Sequence, residues 1–450
     1  MSLPKAFQPF VEGAPCAVMA RLAAEWLVDR ESLRMLFEEV AETQYERELT
    51  LDQLVAVMLD VACGTRPSPR AAYLARQEEI AVSLTAFYGK LRRTEPAIAE
   101  ALVTHTAQRA REVIRKTKGL RKEPVSGFHS FVLDGNVLAG TEHRLKPLRQ
   151  TRAAALPGKS LALFEYATGV VTQAVLEEDA YAQERALLPR LDVESGIHLL
   201  ADRNFCVPWF LLSIQKADSF FTIRHHRGSF PVEPVGKPKA RGRCATGSVS
   251  EQTIRVRDEE GQTFFWRMIT LSLDEPTRDG DTEIVLITNL PRRVRAATIA
   301  NAYRERWTIE HHFQLLTQWL HCEVPSLGHP RAALFAFAMS VVAGNTMAIL
   351  EAALRAKHGD TAAANLSYWS VVEEISATYR GMMIALPARR WRFIHDYSAY
   401  QAARLLCEVA AYTDMQRMRK TKRGPKKPRR TPNCKRIRHR STRRLLDAAT

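Results

Sequence analysis

The chain has 450 residues, of which 46% are apolar and 25% charged, and its formal net charge is +16. This length predicts two or three domains, and the composition is that of an ordinary soluble globular protein. Its seven cysteines are scattered and show no CxxC spacing. They argue against a disulfide framework and a structural zinc site, and predict a reducing, cytoplasmic location.

Residues 1–108 are predicted to form a helical N-terminal region. Apolar residues recur there with a spacing near 3.6, at Ala17–Val28, Ser32–Ala41, Leu51–Ala62 and Ile80–Leu91. A basic stretch follows at residues 109–124. Its charge is equally consistent with a helix lying on DNA and with a solvated linker, and our domain scheme treats it as a linker.

The pattern then changes to short strands. Strands are predicted at Phe128–Leu133, Ser160–Tyr166, Gly169–Leu176, Ile197–Ala201 and Ser219–His225, with helices at Glu178–Leu188 and Val207–Gln215. Three strands, helix, strand, helix, strand is the order of a ribonuclease-H-like α/β domain, which we place at residues 125–330.

An inserted β subdomain is predicted at about residues 226–290. A loop rich in Gly, Pro and basic residues (226–247) leads into strands at Thr253–Arg257, Thr263–Leu273 and Glu283–Asn289. The fold class is therefore α/β, a ribonuclease-H-like catalytic domain with this insertion, flanked by helical N- and C-terminal regions.

The C-terminal region is predicted to be helical at residues 331–412. Its segment Ala332–Leu350 is long and apolar enough to span a bilayer, but its polar residues favour a buried core helix over a membrane span. A basic tail follows at 413–450, where Arg417 to Arg444 hold 15 Lys or Arg residues and no acid. Nucleic acid is its predicted partner, with solubility or targeting as alternatives.

Two acidic residues follow apolar strands. Asp134 is predicted to close the first strand, and Asp202 the fourth. In open α/β sheets the functional site lies beyond the carboxyl ends of the strands, so these carboxylates are placed to meet. A single Asp after a strand is usually a turn former or a helix cap, and the prediction therefore depends on both acids together.

A third acid lies on a predicted helix at residues 303–317. At 100° per residue, Tyr303 and Arg306 fall on the same face as Glu310, beside a separate apolar stripe. An acid held between phosphate-binding groups indicates chemistry on a phosphodiester. Three hard oxygen ligands suit Mg²⁺ or Mn²⁺, and two such ions would clamp a scissile phosphate.

These features resemble the DDE transposases of bacterial insertion sequences. The specific resemblance is to the insertion-sequence-four (IS-four) type, whose signature is Tyr, two residues, Arg, three residues, Glu, six residues, Lys. Tyr303, Arg306 and Glu310 match it, and Thr317 stands where the Lys is expected. A lesser departure is Asn204, where relatives often have Gly.

The resemblance implies that Asp134, Asp202 and Glu310 are catalytic and bind the metals. It implies that Tyr303 and Arg306 hold a phosphate, and we add Arg203, the neighbour of Asp202, to the DNA-binding residues. Relatives place an aromatic residue of the β insertion against a flipped base. Trp266 is our candidate for that role, with a core tryptophan as the alternative.

The predicted function is that of a DNA transposase, which cuts the ends of its element and joins them to target DNA. The implied partners are double-stranded DNA and, on paired ends, a second copy of the chain. Basic segments at 109–122, 237–243 and 417–444 would hold DNA phosphates. The alternatives are a catalytically weak or inactive transposase-derived DNA-binding protein, supported by Thr317, and a nuclease that cuts without joining.

Overall fold

The computed structural model describes most of the chain. The residues outside its description are 1–2, 45, 139, 142–144, 146–153, 227, 229, 278–279, 422–438 and 449–450. Helices dominate the chain before the first long strand. They are α1 (Gln8–Gly13), α2 (Pro15–Leu27), α3 (Arg30–Val40), α4 (Leu51–Ala62), α5 (Pro69–Ala75), α6 (Leu84–Arg93) and α7 (Pro96–Thr117).

Helix α7 corrects the predicted linker at 109–124. The helix runs without interruption to Thr117 and buries Ala107, Ala110 and Val113 along one face. Its arginines form ion pairs within the protein: Arg109 with Asp29, Arg111 with Glu165 and Glu194, and Arg115 with Glu165. Residues 109–117 are thus the end of a core helix and not a solvated linker.

In the described part of the chain, the central sheet contains nine strands. In order across the sheet they are Val170–Glu177, Lys159–Glu165, His129–Val137, Ile197–Ala201, Phe220–Arg224, Glu283–Thr288, Thr263–Leu273, Gly247–Arg257 and Glu233–Cys244. Its first five are β1 (His129–Val137), β3 (Lys159–Glu165), β4 (Val170–Glu177), β5 (Ile197–Ala201) and β6 (Phe220–Arg224). Strands β4, β3 and β1 are antiparallel, whereas β1, β5 and β6 are parallel. This is the ribonuclease-H-like arrangement, and it confirms the predicted fold class.

The β insertion extends this same sheet. Its strands are β7 (Glu233–Cys244), β8 (Gly247–Arg257), β9 (Thr263–Leu273) and β10 (Glu283–Thr288). Strand β10 pairs with β6 and so joins the insertion to the ribonuclease-H-like core. Strand β7 lies where a loop was predicted. Its Gly and Pro residues are accommodated because it is the edge of the sheet, where one side needs no ladder hydrogen bonds.

Short elements connect the core strands. A 3₁₀ helix at Glu184–Arg190 lies where an α-helix was predicted, and a shorter one covers Arg203–Phe205. Helix α8 (Pro208–Lys216) links β5 to β6, and α9 (Ala296–Arg304) and α10 (Trp307–Gln318) follow β10. The predicted helix over 303–317 is therefore two helices that meet at Glu305 and Arg306.

The remaining helices return to the N-terminal region. They are α11 (Pro330–His358), α12 (Asp360–Ala364), α13 (Tyr368–Ala385) and α14 (Ala399–Ala410). Among the described residues, α11 alone is long and apolar enough to cross a membrane. Its apolar window is buried throughout, which confirms the predicted core helix. The helices before and after the sheet share one apolar core, which reaches Val132 and Phe164 on the sheet.

The end of the basic tail packs against the catalytic region. Strand β11 (His439–Ser441) pairs in parallel with β2 (Ala154–Leu156), and α15 (Thr442–Asp447) follows it. Arg444 Nε lies 2.8 Å from Asp179 Oδ2. The tail was predicted to be extended in isolation, and residues 439–447 are anchored instead. Residues 422–438, which hold most of its charge, lie outside the described part of the chain.

Candidate active site

Two of the predicted acids lie side by side at one edge of the sheet. Strands β1 and β5 are parallel neighbours, with Leu133 opposite Ala201. Asp134 and Asp202 are the next residues in this register. Asp134 does not end its strand as predicted, since β1 continues to Val137 through its pairing with β3. Asp202 directly follows β5 and caps the short 3₁₀ helix, accepting a 2.6 Å hydrogen bond from the Asn204 N–H.

Arg306 connects the sheet to α10. Its guanidinium places Nη1 3.3 Å from Asp134 Oδ2 and Nη2 3.1 Å from Glu310 Oε1. The Arg306 side chain is 11% exposed and that of Glu310 36%, so the acid faces solvent while the arginine lies between helix and sheet. One cation thus holds together carboxylates from two elements that are 176 positions apart in the sequence.

The electrostatics of Asp134 place all three acids in one site. Burial raises the pKa of Asp134 to about 6, and the nearby charges of Asp202 and Glu310 add to the rise. The Arg306 guanidinium and the Gly135 N–H, 2.9 Å from Asp134 Oδ1, act in the opposite direction. Mutually repelling carboxylates held by a folded scaffold are a donor set that a divalent cation stabilises. Among the described residues, no three Asp, Glu, His or Cys side chains lie close enough together in this structure to hold a metal ion, so metal binding by these carboxylates belongs to the proposal below.

Tyr303 lies beneath the site. It is 7% exposed, belongs to the apolar cluster between α9 and the insertion strands, and lies in the last turn of α9. Burial raises the pKa of Tyr303 to about 12; the charge of Arg306 opposes this rise and that of Asp202 adds to it. The phenol is thus close to both groups.

The other predicted contacts lie apart from one another. Arg203 is exposed beside Asp202. Thr317 is also exposed on α10, and its hydroxyl donates a 2.8 Å hydrogen bond to the carbonyl of Phe313. The Thr317 hydroxyl therefore bonds within its own helix, and this position lacks the positive charge that the signature Lys would supply.

Trp266 is a core residue, and its predicted role as a base-stacking platform is wrong. It is 1% exposed and packs edge-on against Phe221 and Phe230, with ring centroids 4.8 and 5.9 Å away. Successive side chains on a strand point to opposite faces, so its neighbour Phe265 is 60% exposed. The structure thus supports the alternative of a core tryptophan.

Trp307 is an exposed aromatic residue that sequence reasoning missed. It is 56% exposed, and the Arg306 Cζ lies 5.4 Å from its ring centroid. It lines an open cavity of about 590 Å³ together with Arg304, Glu305, Thr308 and His311. Trp307 directly follows the signature Arg306 and starts α10 beside the site. This position in the sequence could have identified it as a candidate contact residue.

Asp134→Asn is expected to stabilise the metal-free protein at pH 7.5 by up to about 3 kcal/mol, the free-energy equivalent of the raised pKa. The folded state binds the Asp134 proton more tightly than the unfolded state. Wild-type stability therefore falls as pH rises from about 4 through about 6, a cost that Asn avoids. Urea unfolding between pH 4 and 8 measures this difference, with exposed Asp396→Asn as control. An equal difference at every pH would contradict the prediction.

The comparison with known proteins agrees with this geometry. No curated protein matches the chain. Residues 133–342 match the family described as "Transposase DDE domain". The match begins at the end of the buried part of β1, ends within α11 and contains Asp134, Asp202 and Glu310. This stretch of the chain is therefore similar to the transposase DDE domain, and the similarity supports a DDE transposase.

Proposed function

We propose that the protein is a DNA transposase of the insertion-sequence-four type, which cuts the ends of its element and joins them to target DNA. The observation that carries this proposal is the single site formed by Asp134, Asp202, Arg306 and Glu310. A structural ion pair needs only one acid for one base. A surplus of carboxylates around one arginine is instead typical of a site that awaits further cations.

Asp134, Asp202 and Glu310 would hold two divalent ions. When bound, these ions supply a nucleophile from water or from a 3′ hydroxyl and stabilise charge on the leaving oxygen. Below about pH 6, where the raised pKa leaves Asp134 largely protonated, ion binding would release that proton. Glu310, on the solvent side, is the acid that can adjust to them with least disturbance of the core.

Arg306 is proposed to change partners when DNA arrives. In the DNA-free protein its guanidinium binds two carboxylates. A phosphate at the mouth of the site offers the same planar group charge-assisted hydrogen bonds. The buried Tyr303 beside it would limit the guanidinium to a few orientations. Arg203, exposed next to Asp202, would contact a neighbouring phosphate.

Basic surface outside the site would hold the DNA backbone. Strand β7 carries exposed Lys237 and Lys239 near the edge of the sheet, and phosphate contacts of this kind give affinity without sequence choice. Arg109 and Arg111 of α7 form ion pairs with Asp29 and Glu165, so we do not assign DNA binding to them. Recognition of the element's ends is assigned to the N-terminal helices, and action as a homodimer on paired ends is part of the proposal.

The test is cleavage of a supercoiled plasmid that carries the DNA flanking the gene. We expect cutting at the element's boundaries in Mg²⁺ or Mn²⁺, no cutting in a chelator, and joining of the released 3′ ends to a second plasmid. Cutting without joining would indicate a nuclease. Binding of the ends without cutting in either metal would favour the repressor-like alternative, for which Thr317 is the supporting observation.

Trp307→Ala is expected to weaken binding of cleaved end DNA by about 10-fold, because stacking of one base on an aromatic side chain contributes roughly 1–3 kcal/mol. The measurement is fluorescence anisotropy of a labelled end duplex, with Ca²⁺ in place of the catalytic metal. Trp369→Ala is the matched control, since Trp369 is 54% exposed but lies on α13. Equal affinity of both variants would remove Trp307 from the DNA interface.

A further inference from the structure

A fourth carboxylate, that of Glu184, lies next to the loop that carries Asp202. The start of the 3₁₀ helix Glu184–Arg190 holds Asn204 from two sides. The Asn204 side-chain amide donates a 2.5 Å hydrogen bond to Glu184 Oε2. The main-chain carbonyl of Asn204 accepts a 2.6 Å hydrogen bond from Arg185 Nε. The Asn204 N–H in turn donates to Asp202 Oδ1 at 2.6 Å. Glu184 is therefore linked to Asp202 through one residue.

The same carboxylate packs against the backbone beside Asp134. A Cβ atom placed on Gly135 would lie 2.5 Å from Glu184 Cδ and 2.6 Å from its Oε1. The missing side chain of Gly135 therefore leaves the space that the Glu184 carboxylate fills. The Gly135 N–H donates a 2.9 Å hydrogen bond to Asp134 Oδ1, so Glu184 touches the residue that orients the second aspartate as well.

We propose that Glu184 is a positioning residue for the metal-binding aspartates, acting through Asn204 and Gly135. The inference rests on the proposed function, because it concerns the carboxylates that would bind the metals. A carboxylate oxygen that accepts a main-chain N–H keeps its orientation only if that N–H is itself fixed. Glu184 restrains both residues that donate these N–H groups: it accepts a hydrogen bond from the Asn204 side chain and packs directly against Gly135.

The side chain of Asn204 is what makes this link possible, since a glycine at position 204 would have no side chain to reach Glu184. The amide of Asn204 supplies that reach, and Arg185 holds the peptide from the other side. The structure thus assigns a role to a residue that was, from the sequence, only a departure from the family pattern.

The test is to measure Mn²⁺ binding to the full-length, DNA-free protein by calorimetry. Loss of a group that orients a metal ligand typically weakens metal binding by about 10-fold or more, and this is the result expected for Glu184→Ala. Glu184→Gln should recover most of the affinity, since its amide oxygen still accepts from Asn204. Glu260→Gln, at an exposed acid on the turn after β8, should bind Mn²⁺ like wild type.

A double-substitution cycle separates positioning from simple stabilisation. With Asn204→Gly already present, Glu184→Ala should weaken Mn²⁺ binding much less than it does alone, because part of the link is gone. A lowered melting temperature with unchanged Mn²⁺ affinity in Glu184→Ala would show that Glu184 only stabilises the fold, and would overturn the inference. If Glu184→Ala weakens binding equally in the wild-type and the Asn204→Gly backgrounds, the proposed route through Asn204 is overturned as well.

The two proposals fail in different ways. If wild type and Asp202→Asn bind Mn²⁺ equally, the metal site itself is wrong, and the proposed function falls together with the role of Glu184. If Asp202→Asn abolishes binding while Glu184→Ala leaves it unchanged, the metal site stands and only the positioning role is overturned.

Discussion

Glu310→Gln is expected to lower metal-dependent cleavage of the element's ends by about a thousandfold or more. The substitution keeps the size of the side chain and removes its charge. Metal ions contribute several kcal/mol of charge stabilisation in the transition state, and each 1.36 kcal/mol is a factor of ten in rate. The fold should be unaffected, because the Glu310 side chain is 36% exposed and its ion pair is with Arg306 alone among the described residues.

The measurement is the rate of plasmid cleavage at saturating Mg²⁺ and again at saturating Mn²⁺. Glu373→Gln, an exposed acid on α13, is the matched control and should cleave like wild type. Binding of end DNA by Glu310→Gln should persist, because its basic surfaces are unchanged. Cleavage by the variant within tenfold of the wild-type rate would remove Glu310 from the catalytic set.

The helix that carries Glu310 shows where sequence periodicity was insufficient. Apolar residues continue with helical spacing through residues 303–317, and no Gly or Pro marks the break at Glu305 and Arg306. The break coincides with the contact of Arg306 with Asp134, a residue far away in the sequence. A local pattern cannot contain this information, because the partner that sets the geometry arrives only when α10 packs on the sheet.

In the insertion, one strand was predicted correctly and another was missed. Strand β9 was predicted with its observed bounds, because Thr263–Leu273 is rich in β-branched and aromatic residues. Strand β7 was missed, because its Gly, Pro and basic residues are typical of loops and its pairing with β8 is what makes it a strand. In β9 itself, Phe265 and Trp266 are both large aromatic residues, so composition could not decide which of them faces the core.

The two aspartates were predictable for a more general reason. Each comes at the carboxyl end of a buried apolar run, and parallel neighbouring strands bring such ends together. The sequence contains the runs themselves, so the meeting of Asp134 and Asp202 needs only the strand order. Glu184 had no comparable signal. Its contact with Gly135 depends on the path of an irregular segment, for which no periodicity exists.

Glu351→Gln is expected to destabilise the protein by about 3–5 kcal/mol, the usual cost of breaking a buried ion pair. Glu351 is buried on α11. Its carboxylate lies 2.8 Å from Arg121 Nη2 and 2.6 Å from Arg355 Nη2, and Tyr368 donates to it at 2.5 Å. Glutamine fills the same space but leaves two guanidinium groups without their shared counter-charge.

The pH dependence of this variant should be opposite to that of Asp134→Asn. Despite burial, the charges of Arg121 and Arg355 and the Tyr368 hydroxyl lower the pKa of Glu351 to about 2. The ionised carboxylate therefore stabilises the fold above about pH 4.5, and this contribution is lost as pH falls toward 2. The free energy of unfolding lost in Glu351→Gln should be largest near neutral pH and should shrink below about pH 4.5.

Urea unfolding of both proteins at pH 7, 5 and 4 measures this change. Glu408→Gln is the control, because its exposed pair with Arg404 contributes less than about 1 kcal/mol. A constant difference between wild type and Glu351→Gln across this range would show that packing, and not the charge, is what Glu351 contributes. The expected result would instead show that the two acids, Glu351 and Asp134, have opposite effects on stability. The Glu351 carboxylate stabilises the fold because Arg121 and Arg355 compensate its charge. The Asp134 carboxylate lowers the stability of the metal-free protein, because the divalent cations that would compensate its charge are bound only in the active protein.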